Sequence, residues 1–549
     1  MANNSKEKEI LKETDTAATN KKNGNSNTKS NNNNKNKSTS SNVNNNKGSS
    51  KGTGLATVTN DPAWWSQNPA LLADAIAVST DFTGTVINLK DPNRTDGPIH
   101  WFAAPGLLVY HLMPTFGINE GPGDPINLGT SQYYAFLRNR KRATKYDAPD
   151  LTCYTLAVGE IRSFITFLKR AYTIKNINEI ENNYLYNELL EAMGLDANSW
   201  RNESYKFLSR WENLRLACEP FRYPDLAYYN LKDATYKYIY TETPGSIYDQ
   251  MHIMVPAGFY QIDHDQDGAT KLTFKTWDTG TPKTIDQAFD FVEEMIKAIL
   301  NDQSFVHMSA DILDSLTPAE IKPWNFLLDD MSKETVFVYD PIYLYRFKNT
   351  VVQSSTVIDT DVKQDPTKGF LISTPKVVIG SSEPNYFLQD YKLITTPEWN
   401  PNPLILTEFT MFTPAIAKTS EEGTYKVSSG FYFCSRVSVR TRNRLGESLV
   451  LNVTNNNKAK DGTLALIVAL RPFKFCPRIL FHLAGEKGAY DSTSKLFEYV
   501  DSDAICVMKN ENLMSVHRGT MMNAFSVQLN NLQSNSRILS VPVNTTSKK

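Results

Sequence analysis

The sequence predicts an α+β protein in three parts: a disordered N-terminal arm, a largely α-helical region and a β-rich region. Three observations support this prediction. The first 59 residues are mostly Asn, Ser, Lys, Thr and Gly, apolar residues in the middle recur every three or four positions, and short β-branched and aromatic runs dominate after about residue 335. With 549 residues, 40% of them hydrophobic, the chain can bury the cores of several domain-sized units.

The N-terminal arm, residues 1–59, has no aromatic residue and almost nothing apolar to bury. Such a segment cannot offset the conformational entropy of folding, so we expect it to be disordered. It contains ten lysines, four acidic residues and no arginine, and therefore carries a net charge of +6 on a chain whose total is −1. A basic arm on an acidic body indicates a polyanionic partner for the arm.

Seven arm lysines follow Asp15, the last acidic residue before Asp61, and are spread among Asn and Ser. Spaced cations on a flexible chain make salt-sensitive contacts with phosphates and read no base sequence. We therefore expect these lysines to contact RNA, with a merely solubilising tail as the alternative. The candidate RNA-binding lysines are Lys21, Lys22, Lys29, Lys35, Lys37, Lys47 and Lys51.

The clearest helix is predicted in YDAPDLTCYTLAVGEIRSFITFLKRAY. Pro149 and Asp150 stand at its start and Lys169 and Arg170 at its end, the polarity that a helix dipole favours. Apolar residues three and four positions apart give it one continuous buried stripe. The stripe consists of Leu151, Tyr154, Val158, Ile161, Ile165, Leu168 and Tyr172.

Further helices are predicted at residues 184–193, where Gly194 ends the pattern, and at residues 205–217. Another follows Thr284 and Gln287, which form a capping box ahead of an apolar pattern. Order should begin near Pro62 and include a short helix through residues 69–76.

After about residue 335 the chain is predicted to form strands, mostly antiparallel. The runs are TVFVYDPIYLYRF, LILTEFTMF, FYFCSRVSVRT, SLVLNV and TLALIVAL, and a second β patch is predicted around residues 236–274. The predicted boundaries are 1–59 for the arm, 60–335 for a helix-rich domain, 336–480 for a β-rich domain and 481–549 for a C-terminal segment.

A second basic feature, FLRNRKRATK, lies just before the long helix. Its candidate RNA-binding residues are Arg138, Arg140 and Arg142, flanked by Lys141 and Lys145. An RNA-facing surface, an exposed loop and a contact between subunits are equally good readings of this run.

The acidic run DHDQDG resembles the opening of a calcium loop, because Asp263, Asp265 and Asp267 stand at alternate positions before a glycine. Position twelve of such a loop should be a glutamate, and here it is Phe274. The flanking segments read as strands, so a solvated hairpin turn is the favoured interpretation and a cation site the alternative.

Other signals of chemistry are missing from the sequence. Five scattered cysteines form neither a disulfide framework nor a metal knuckle, and the seven histidines show no zinc-site spacing, so buried reduced thiols and no metal or other cofactor are expected. No nucleophile elbow, phosphate loop or dinucleotide fingerprint occurs, which disfavours an enzyme. The N-terminus lacks a secretory apolar core and the longest apolar run is too short to cross a bilayer, so we expect a cytoplasmic, non-membrane protein.

Several stretches, in order, resemble picobirnavirus capsid proteins. They are NDPAWWSQNPALLADAIAVSTDFTGTVINL, APGLLVYHLMPTFG with the Asp124-Pro125 turn after it, YDAPDL, NYLYNELLEAMGLD and MHIMVPAGFY. The resemblance covers about residues 60–260 and rests on the order and spacing of these blocks behind the basic arm. One departure is that the arm has no arginine, whose planar fork grips phosphate more tightly than lysine does.

The resemblance implies a structural protein of the virion that assembles in the host cytoplasm into a single icosahedral layer of about sixty two-fold dimers. The helix-rich domain would then be the shell, the β-rich domain a projection, and the C-terminal segment a return to the shell. Expected partners are further copies of the chain and genomic double-stranded RNA, bound non-specifically; the viral RNA polymerase is a candidate partner. Two other functions stay open from the residues alone: a metal-dependent hydrolase using Asp263, Asp265 and Asp267, and a cytoplasmic RNA-binding protein that forms no shell.

Overall fold

A computed structural model describes the part of the chain that builds the folded body. The described residues are 86–89, 99–102, 106–141, 145–177, 185–244, 250–328, 336–350, 356–365, 367–378, 391–393, 407–421, 424–442, 448–452, 475 and 506–526. The arm with its seven candidate lysines, Arg142, the predicted helix after Pro62 and the run TLALIVAL lie outside these residues.

Helices dominate the described residues between 125 and 315. They are α1 (Pro125–Arg140), α2 (Ala148–Asn176), α3 (Leu185–Ala192), α4 (Ala197–Asn202), α5 (Ser204–Cys218), α6 (Ala227–Thr235), α7 (Ile285–Leu300) and α8 (Gln303–Ser315), followed later by α9 (Pro341–Lys348) and α10 (Asn510–Phe525). The helices predicted at residues 184–193, at residues 205–217 and after Thr284 are confirmed as α3, α5 and α7. Gly194 adopts a φ of +75° just after α3, and Thr284 with Gln287 forms the predicted capping box of α7.

Helix α2 is the core of the fold. It is 29 residues long, or about 43 Å, and starts with a capping box between Asp147 and Asp150. The predicted stripe is buried except for Tyr172, which is partly buried, and other layers cover the remaining faces of the helix. By length and apolar composition α2 could cross a membrane, but its most apolar window of 18 residues is wholly buried inside the fold. Burial of this kind is typical of the core helix of a globular protein.

The strands that the structure describes form five sheets. The strands are β1 (Val86–Leu89), β2 (Ile99–Phe102), β3 (Leu107–Pro114), β4 (Ile239–Thr241), β5 (Met251–Pro256), β6 (Gly258–His264), β7 (Thr270–Thr276), β8 (Phe337–Val338), β9 (Thr356–Ile358), β10 (Val362–Gln364), β11 (Leu371–Ser373), β12 (Lys376–Val378), β13 (Tyr391–Leu393), β14 (Ala415–Lys418), β15 (Thr424–Ser428), β16 (Tyr432–Arg442), β17 (Ser448–Asn452) and β18 (Cys506–Met508). The largest sheet has the order β17-β16-β3-β5-β4-β8, and two four-stranded sheets have the orders β11-β10-β7-β6 and β14-β15-β12-β9. Pairing is antiparallel except for β3 with β5 and β4 with β8, as the prediction of mostly antiparallel strands required. The chain is thus a mixed α and β protein.

Two of the predicted strand runs are wrong over the residues that the structure describes, which are 336–347 of the first and 407–412 of the second. In TVFVYDPIYLYRF only Phe337–Val338 is a strand, and α9 follows. The Asp340 carboxylate caps α9 by accepting from the backbone N–H groups of Ile342, at 2.9 Å, and Tyr343, at 3.4 Å, with Pro341 in the first turn. A cap and a proline at the start of a helix override the β preference of the aromatic residues that follow. In LILTEFTMF, residues 407–409 are helical and 410–412 form a turn.

The large sheet joins residues from both sides of the predicted boundary at 336. Strand β16 pairs with β3 along its length, for example Val437 with Tyr110, and β3 lies beside β5 in the helix-rich part. Helix α10 packs on the same part: the Phe525 ring lies 4.8 Å from the Tyr228 ring of α6, centroid to centroid. All described residues belong to one compact unit, residues 54–549. The boundary at 336 stays a prediction, but β16 lies with the helix-rich part.

Candidate functional site

The acidic run DHDQDG forms the tip of the hairpin between β6 and β7. The Asp265 carboxylate accepts hydrogen bonds from the backbone N–H groups of Asp267, at 3.0 Å, and Ala269, at 2.8 Å. Gly268 has a φ of +82°, a conformation that glycine adopts without strain and that closes the turn. The predicted hairpin turn is therefore confirmed, and its central carboxylate is used by the turn's own backbone.

Asp263 is likewise engaged within the hairpin. Its carboxylate accepts from the Thr273 hydroxyl at 3.2 Å and lies 3.5 Å from the Lys271 ammonium. Burial alone would raise the pKa of Asp263, but the His264 backbone N–H and the Lys271 charge hold this pKa below its ordinary value. Among the described residues, no group of three or more His, Cys, Asp or Glu side chains could hold a metal ion. The geometry thus gives the calcium alternative no support.

The structure describes the side chains of three of the five cysteines, and the prediction of buried reduced thiols holds for them. Cys153, Cys218 and Cys434 are all buried and unpaired with one another. Burial raises the pKa of each thiol, that of Cys434 to about 12, so these thiols stay protonated at neutral pH. They are inert as nucleophiles in this state.

The nearest approach to a catalytic arrangement is a buried row of side chains around His252. The Nδ1 atom of His252 lies 2.9 Å from the Tyr110 hydroxyl, and its Nε2 atom lies 2.9 Å from a carboxylate oxygen of Glu242. The ring also stacks on Phe347, with centroids 5.1 Å apart. Catalysis requires that substrate reach the base, and the His252 side chain has no solvent exposure. The row acts as a core hydrogen-bond network that joins β3, β5 and the residue that follows β4.

A cavity of about 330 Å³ lies between the large sheet, α3 and the loop before α7. His111 and Arg436 line it, and an Nη atom of Arg436 donates to the Nδ1 atom of His111 at 3.1 Å and to the Thr279 hydroxyl at 2.8 Å. Burial and the nearby Arg436 and Arg440 charges hold the pKa of His111 well below its ordinary value, so the ring is neutral. The Ser438 hydroxyl lies 3.1 Å from Nε2 of His111, within the reach of a nucleophile and its base, but Ser438 is buried in the sheet. Because Nδ1 accepts from Arg436, the single proton of the neutral ring is on Nε2, which donates to Ser438 and cannot take its proton.

The basic run after α1 is partly on the surface. Arg138 is exposed, and its guanidinium donates to the Tyr134 hydroxyl at 3.0 Å. Arg140 is also exposed, but its guanidinium donates at 2.5 Å to the backbone carbonyl of Ser315, at the end of α8. The structure therefore places both candidate arginines where a polyanion can approach, with Arg140 already anchored to the body.

Lys141 extends the same anchor, because its ammonium lies 2.6 Å from the Asp314 carboxylate. An ion pair between such exposed groups contributes little to stability, and a competing phosphate can displace it. No other candidate RNA-binding residue lies within the described part of the chain, and RNA binding by Arg138 and Arg140 stays a prediction.

The exposed face of α5 was not predicted from the sequence. Tyr205, Leu208 and Leu216 are 69%, 50% and 51% exposed, whereas Phe207 and Trp211 face the core. The helix was predicted from its apolar pattern, and the pattern was read as a single buried stripe. A second apolar stripe on the opposite face was visible in the same residues and is the signal that could have revealed a docking surface.

A groove lies beside the C-terminal end of this helix. It has a volume of about 290 Å³ and is lined by Arg215, Glu219, Arg222, Trp324, Phe326 and Leu327. The Trp324 indole N–H donates to the Phe221 backbone carbonyl at 3.1 Å, which fixes the ring as one wall. A second cavity of about 380 Å³ continues on the other side of Trp324 toward the end of α8. We call the first of these the Trp324 groove.

Comparison with known proteins gives concordant matches. A family model described as the picobirnavirus capsid protein matches residues 64–401. A relative named as a capsid protein precursor of Human picobirnavirus (strain Human/Thailand/Hy005102/-) is 23% identical over an alignment of 341 residues, and the match covers 56% of this chain. The matched region spans 57% of that relative's own length.

A solved structure has the same fold. It is titled as the X-ray crystallographic structure of the picobirnavirus capsid, and it matches with a TM-score of 0.66 and 18% sequence identity. The match covers 86% of this chain and 99% of that one. At this identity the likeness concerns the fold alone.

Proposed function

Because the chain belongs to the picobirnavirus capsid protein family, we propose that it dimerises and self-assembles into an icosahedral shell that encloses double-stranded RNA. The observation that carries the proposal is the family match over residues 64–401. The fold agrees with it, since the likeness to the solved capsid structure extends over 86% of the chain.

Membership in a capsid family makes the chain a structural protein and a component of the virion. The metal-dependent hydrolase considered from Asp263, Asp265 and Asp267 is thereby overturned. Its geometric basis also fails, because the Asp265 carboxylate accepts two backbone hydrogen bonds within its own turn. A side chain committed in this way would have to break those bonds to bind a cation.

The surface of the described body supports contacts between copies. A closed shell requires each subunit to present several distinct patches, including a self-complementary one on a two-fold axis. Exposed apolar side chains are found on α5, on α8 and after the 3₁₀ turn at Pro318–Glu320, where water is a poor partner for them. They are Tyr205, Leu208, Leu216, Val306, Leu313 and Leu327.

Charge supports the RNA part of the proposal. The arm has a net charge of +6, so about sixty dimers would bring roughly 700 positive charges, whereas each thousand base pairs carries about 2000 negative ones. The arms and the exposed Arg138 are thus sufficient to recruit and tether RNA. Mobile cations must neutralise most of its charge.

We extend the proposal to the parts of the subunit. Residues 60–335 form the shell together with β8, β16 and β17 of the large sheet and with β10 and β11, which share a sheet with β6 and β7. The other β-rich residues of 336–480 project from it, and residues 481–549 return to the shell. The packing of α10 against α1 and α6 supports the return, as does the 2.6 Å ion pair between Arg518 and Asp124. Assembly takes place in the host cytoplasm, and the viral RNA polymerase is a further candidate partner.

Sedimentation velocity of the purified full chain tests self-assembly. At low ionic strength and neutral pH the 62.0 kDa chain should sediment mainly as one uniform particle of megadalton mass. A monomer or dimer that persists across salt and pH would contradict the shell. If such a species still bound RNA, the non-assembling RNA-binding protein would be the better description.

Nuclease protection tests the role of the arm. Replacing the seven lysines that follow Asp15 with glutamine should leave particles intact but lower the amount of nuclease-resistant RNA inside them. The matched control replaces Lys6, Lys8 and Lys12, which alternate with acidic residues, and should change RNA content little. Equal RNA content in the two variants would overturn RNA binding by the arm.

A further inference from the structure

The exposed stripe along α5 has the same spacing in both directions. Its members are Tyr205, Leu208, Glu212 and Leu216 of the helix and Glu219, the C-cap residue that follows it, separated by three, four, four and three positions. The two leucines are equidistant from Glu212, and so are the two end residues. Such a stripe is self-complementary when two copies of the helix lie antiparallel.

We infer that α5 is a two-fold contact between copies of this chain, centred on Glu212, in which Tyr205 of each copy enters the Trp324 groove of the other. This inference rests on the self-assembly proposed above and names one surface that carries it. In the antiparallel arrangement each Leu208 meets the partner's Leu216, and each contact occurs twice.

The groove suits the residue that the symmetry brings to it. Tyr205 lies opposite the partner's Glu219, a residue that lines the groove together with Trp324 and Leu327. A cavity of about 290 Å³ accommodates one aromatic side chain, which can bury about 150–250 Å² there. The phenol hydroxyl can donate to the Glu219 carboxylate while the ring packs on Trp324. Tyrosine is well suited to such a half-polar groove because one end of it is apolar and the other is a hydrogen-bond donor.

The charges on this face allow two copies to approach. On the axis Glu212 would meet Glu212 of the other copy, and without a nearby cation the two carboxylates would repel each other. The Arg215 guanidinium lies 2.6 Å from the Glu212 carboxylate and 3.6 Å from that of Glu219. With Arg222 in the groove, the face carries two cations and two anions, so its formal charge is zero. Two copies would therefore form a charge network at the axis that contains two Glu212 and two Arg215 side chains.

The helix geometry fits a close contact. Spacings of three, four, four and three positions keep the stripe along one side of the helix, and packed helices have axes about 8–10 Å apart. The distance from Tyr205 to Glu219 along the helix is about 21 Å, so a shallow crossing keeps both ends within side-chain reach. A contact made by one helix and one groove is smaller than a standard interface, which buries about 800 Å² per partner. Other contacts in the shell would add to it.

Cysteine cross-linking of the full chain tests the symmetry directly. Only a residue on a two-fold axis meets its own copy, so Glu212→Cys should form a covalent dimer under mild oxidation. The matched control is Asn213→Cys, which is exposed on the same helix but off the stripe. The dimer yield for Glu212→Cys should exceed that of Asn213→Cys by about tenfold, because disulfides require Cβ atoms within about 4.5 Å. The unmodified chain gives the background from its own cysteines.

A second pair of variants defines the register. Leu208→Cys and Leu216→Cys should each give little covalent dimer alone, whereas the double variant should give abundant dimer linked between positions 208 and 216.

Substitution of Tyr205 tests its place in the Trp324 groove. Tyr205→Glu alters only an exposed residue, so the circular dichroism spectrum should stay unchanged, while sedimentation should show the loss of most particles. Tyr205→Phe should retain them.

The outcomes separate this inference from the proposed function. If the unmodified chain forms particles but Glu212→Cys does not cross-link above the Asn213→Cys level, the α5 contact is wrong and the shell stands. Cross-linking of Leu208→Cys alone above that of Glu212→Cys would indicate a different register and would equally overturn it. If the unmodified chain never associates, the proposed function itself fails.

Discussion

The Lys232 ammonium lies 2.5 Å from the Glu160 carboxylate in the centre of the fold, with side-chain exposures of 0% and 1%. The second oxygen of Glu160 accepts from the Tyr260 backbone N–H at 3.3 Å, and the ammonium faces the Tyr432 ring at 4.4 Å from its centroid. This one ion pair therefore joins α2, α6, β6 and β16. Residues from both sides of the predicted boundary at 336 depend on it.

Breaking this ion pair should strongly lower the stability of the folded body. Lys232→Met leaves the Glu160 carboxylate buried without its cation, so we expect the free energy of unfolding to fall by about 3–5 kcal/mol. Urea titration followed by tryptophan fluorescence measures the loss. The control is Lys322→Met, which removes a surface pair with Asp225 and should change stability by no more than about 1 kcal/mol. Similar losses in both variants would show that the buried pair has no special role.

Two helical glycines should respond in opposite directions to alanine. A Cβ atom on Gly159 of α2 would overlap the Tyr228 ring, so Gly159→Ala should destabilise the fold by about 1–3 kcal/mol or more. A Cβ atom on Gly519 of α10 would meet nothing within 4 Å, so Gly519→Ala should stabilise by about 0.5–1 kcal/mol through helix propensity. Thermal unfolding of both variants compares them. A neutral Gly159→Ala would contradict the close packing of α2 on α6.

Acid should weaken the fold partly through His111. Burial, together with the Arg436 and Arg440 charges, holds its pKa well below the ordinary value of 6.5, so the unfolded chain binds a proton that the folded chain rejects. Stability should therefore fall as the pH drops below about 6.5, by about 1.4 kcal/mol per pH unit from this group. Urea titrations from pH 7 to pH 5 should give a shallower pH dependence for His111→Gln than for the unmodified chain. Parallel curves would exclude His111 as a source of the acid sensitivity.

The hairpin at Asp265 should behave as structure and bind no calcium. Asp265→Ala removes acceptors for two backbone N–H groups at the surface and should cost about 1 kcal/mol of stability. Calorimetric titration of the unmodified chain with calcium, magnesium and manganese should show no binding heat at this site. Tight cation binding that is lost in Asp265→Ala would contradict this prediction and indicate a metal site at the hairpin.

The sequence predicted well those elements whose signal is local. The helix after Thr284 was found because its cap and its three-four apolar pattern lie within a few residues of each other. The helix after Asp340 was missed because aromatic residues dominated the reading, although Asp340 and Pro341 were a visible start signal. The pairing of β3 with β5 and β16 could not be found, since it joins residues far apart in the chain and leaves no local pattern.

The candidate surfaces were predicted less well for a related reason. Arg138 and Arg140 stand out by charge alone, so the sequence located them, but the attachment of Arg140 to the carbonyl of Ser315 depends on how α1 and α8 pack. The outward stripe of α5 was hidden because an apolar residue in a helix is read as facing the core. Helical spacing places Leu208 and Leu216 on a different stripe from Phe207 and Trp211, and the packed structure shows that the first two face water and the last two do not.

Electron microscopy of the purified full chain tests the central claim most directly. We expect uniform, closed spherical particles with icosahedral symmetry whose subunit density fits the described body. Dispersed small subunits, open sheets or irregular aggregates under all conditions of salt and pH would contradict the proposal that this chain builds a shell.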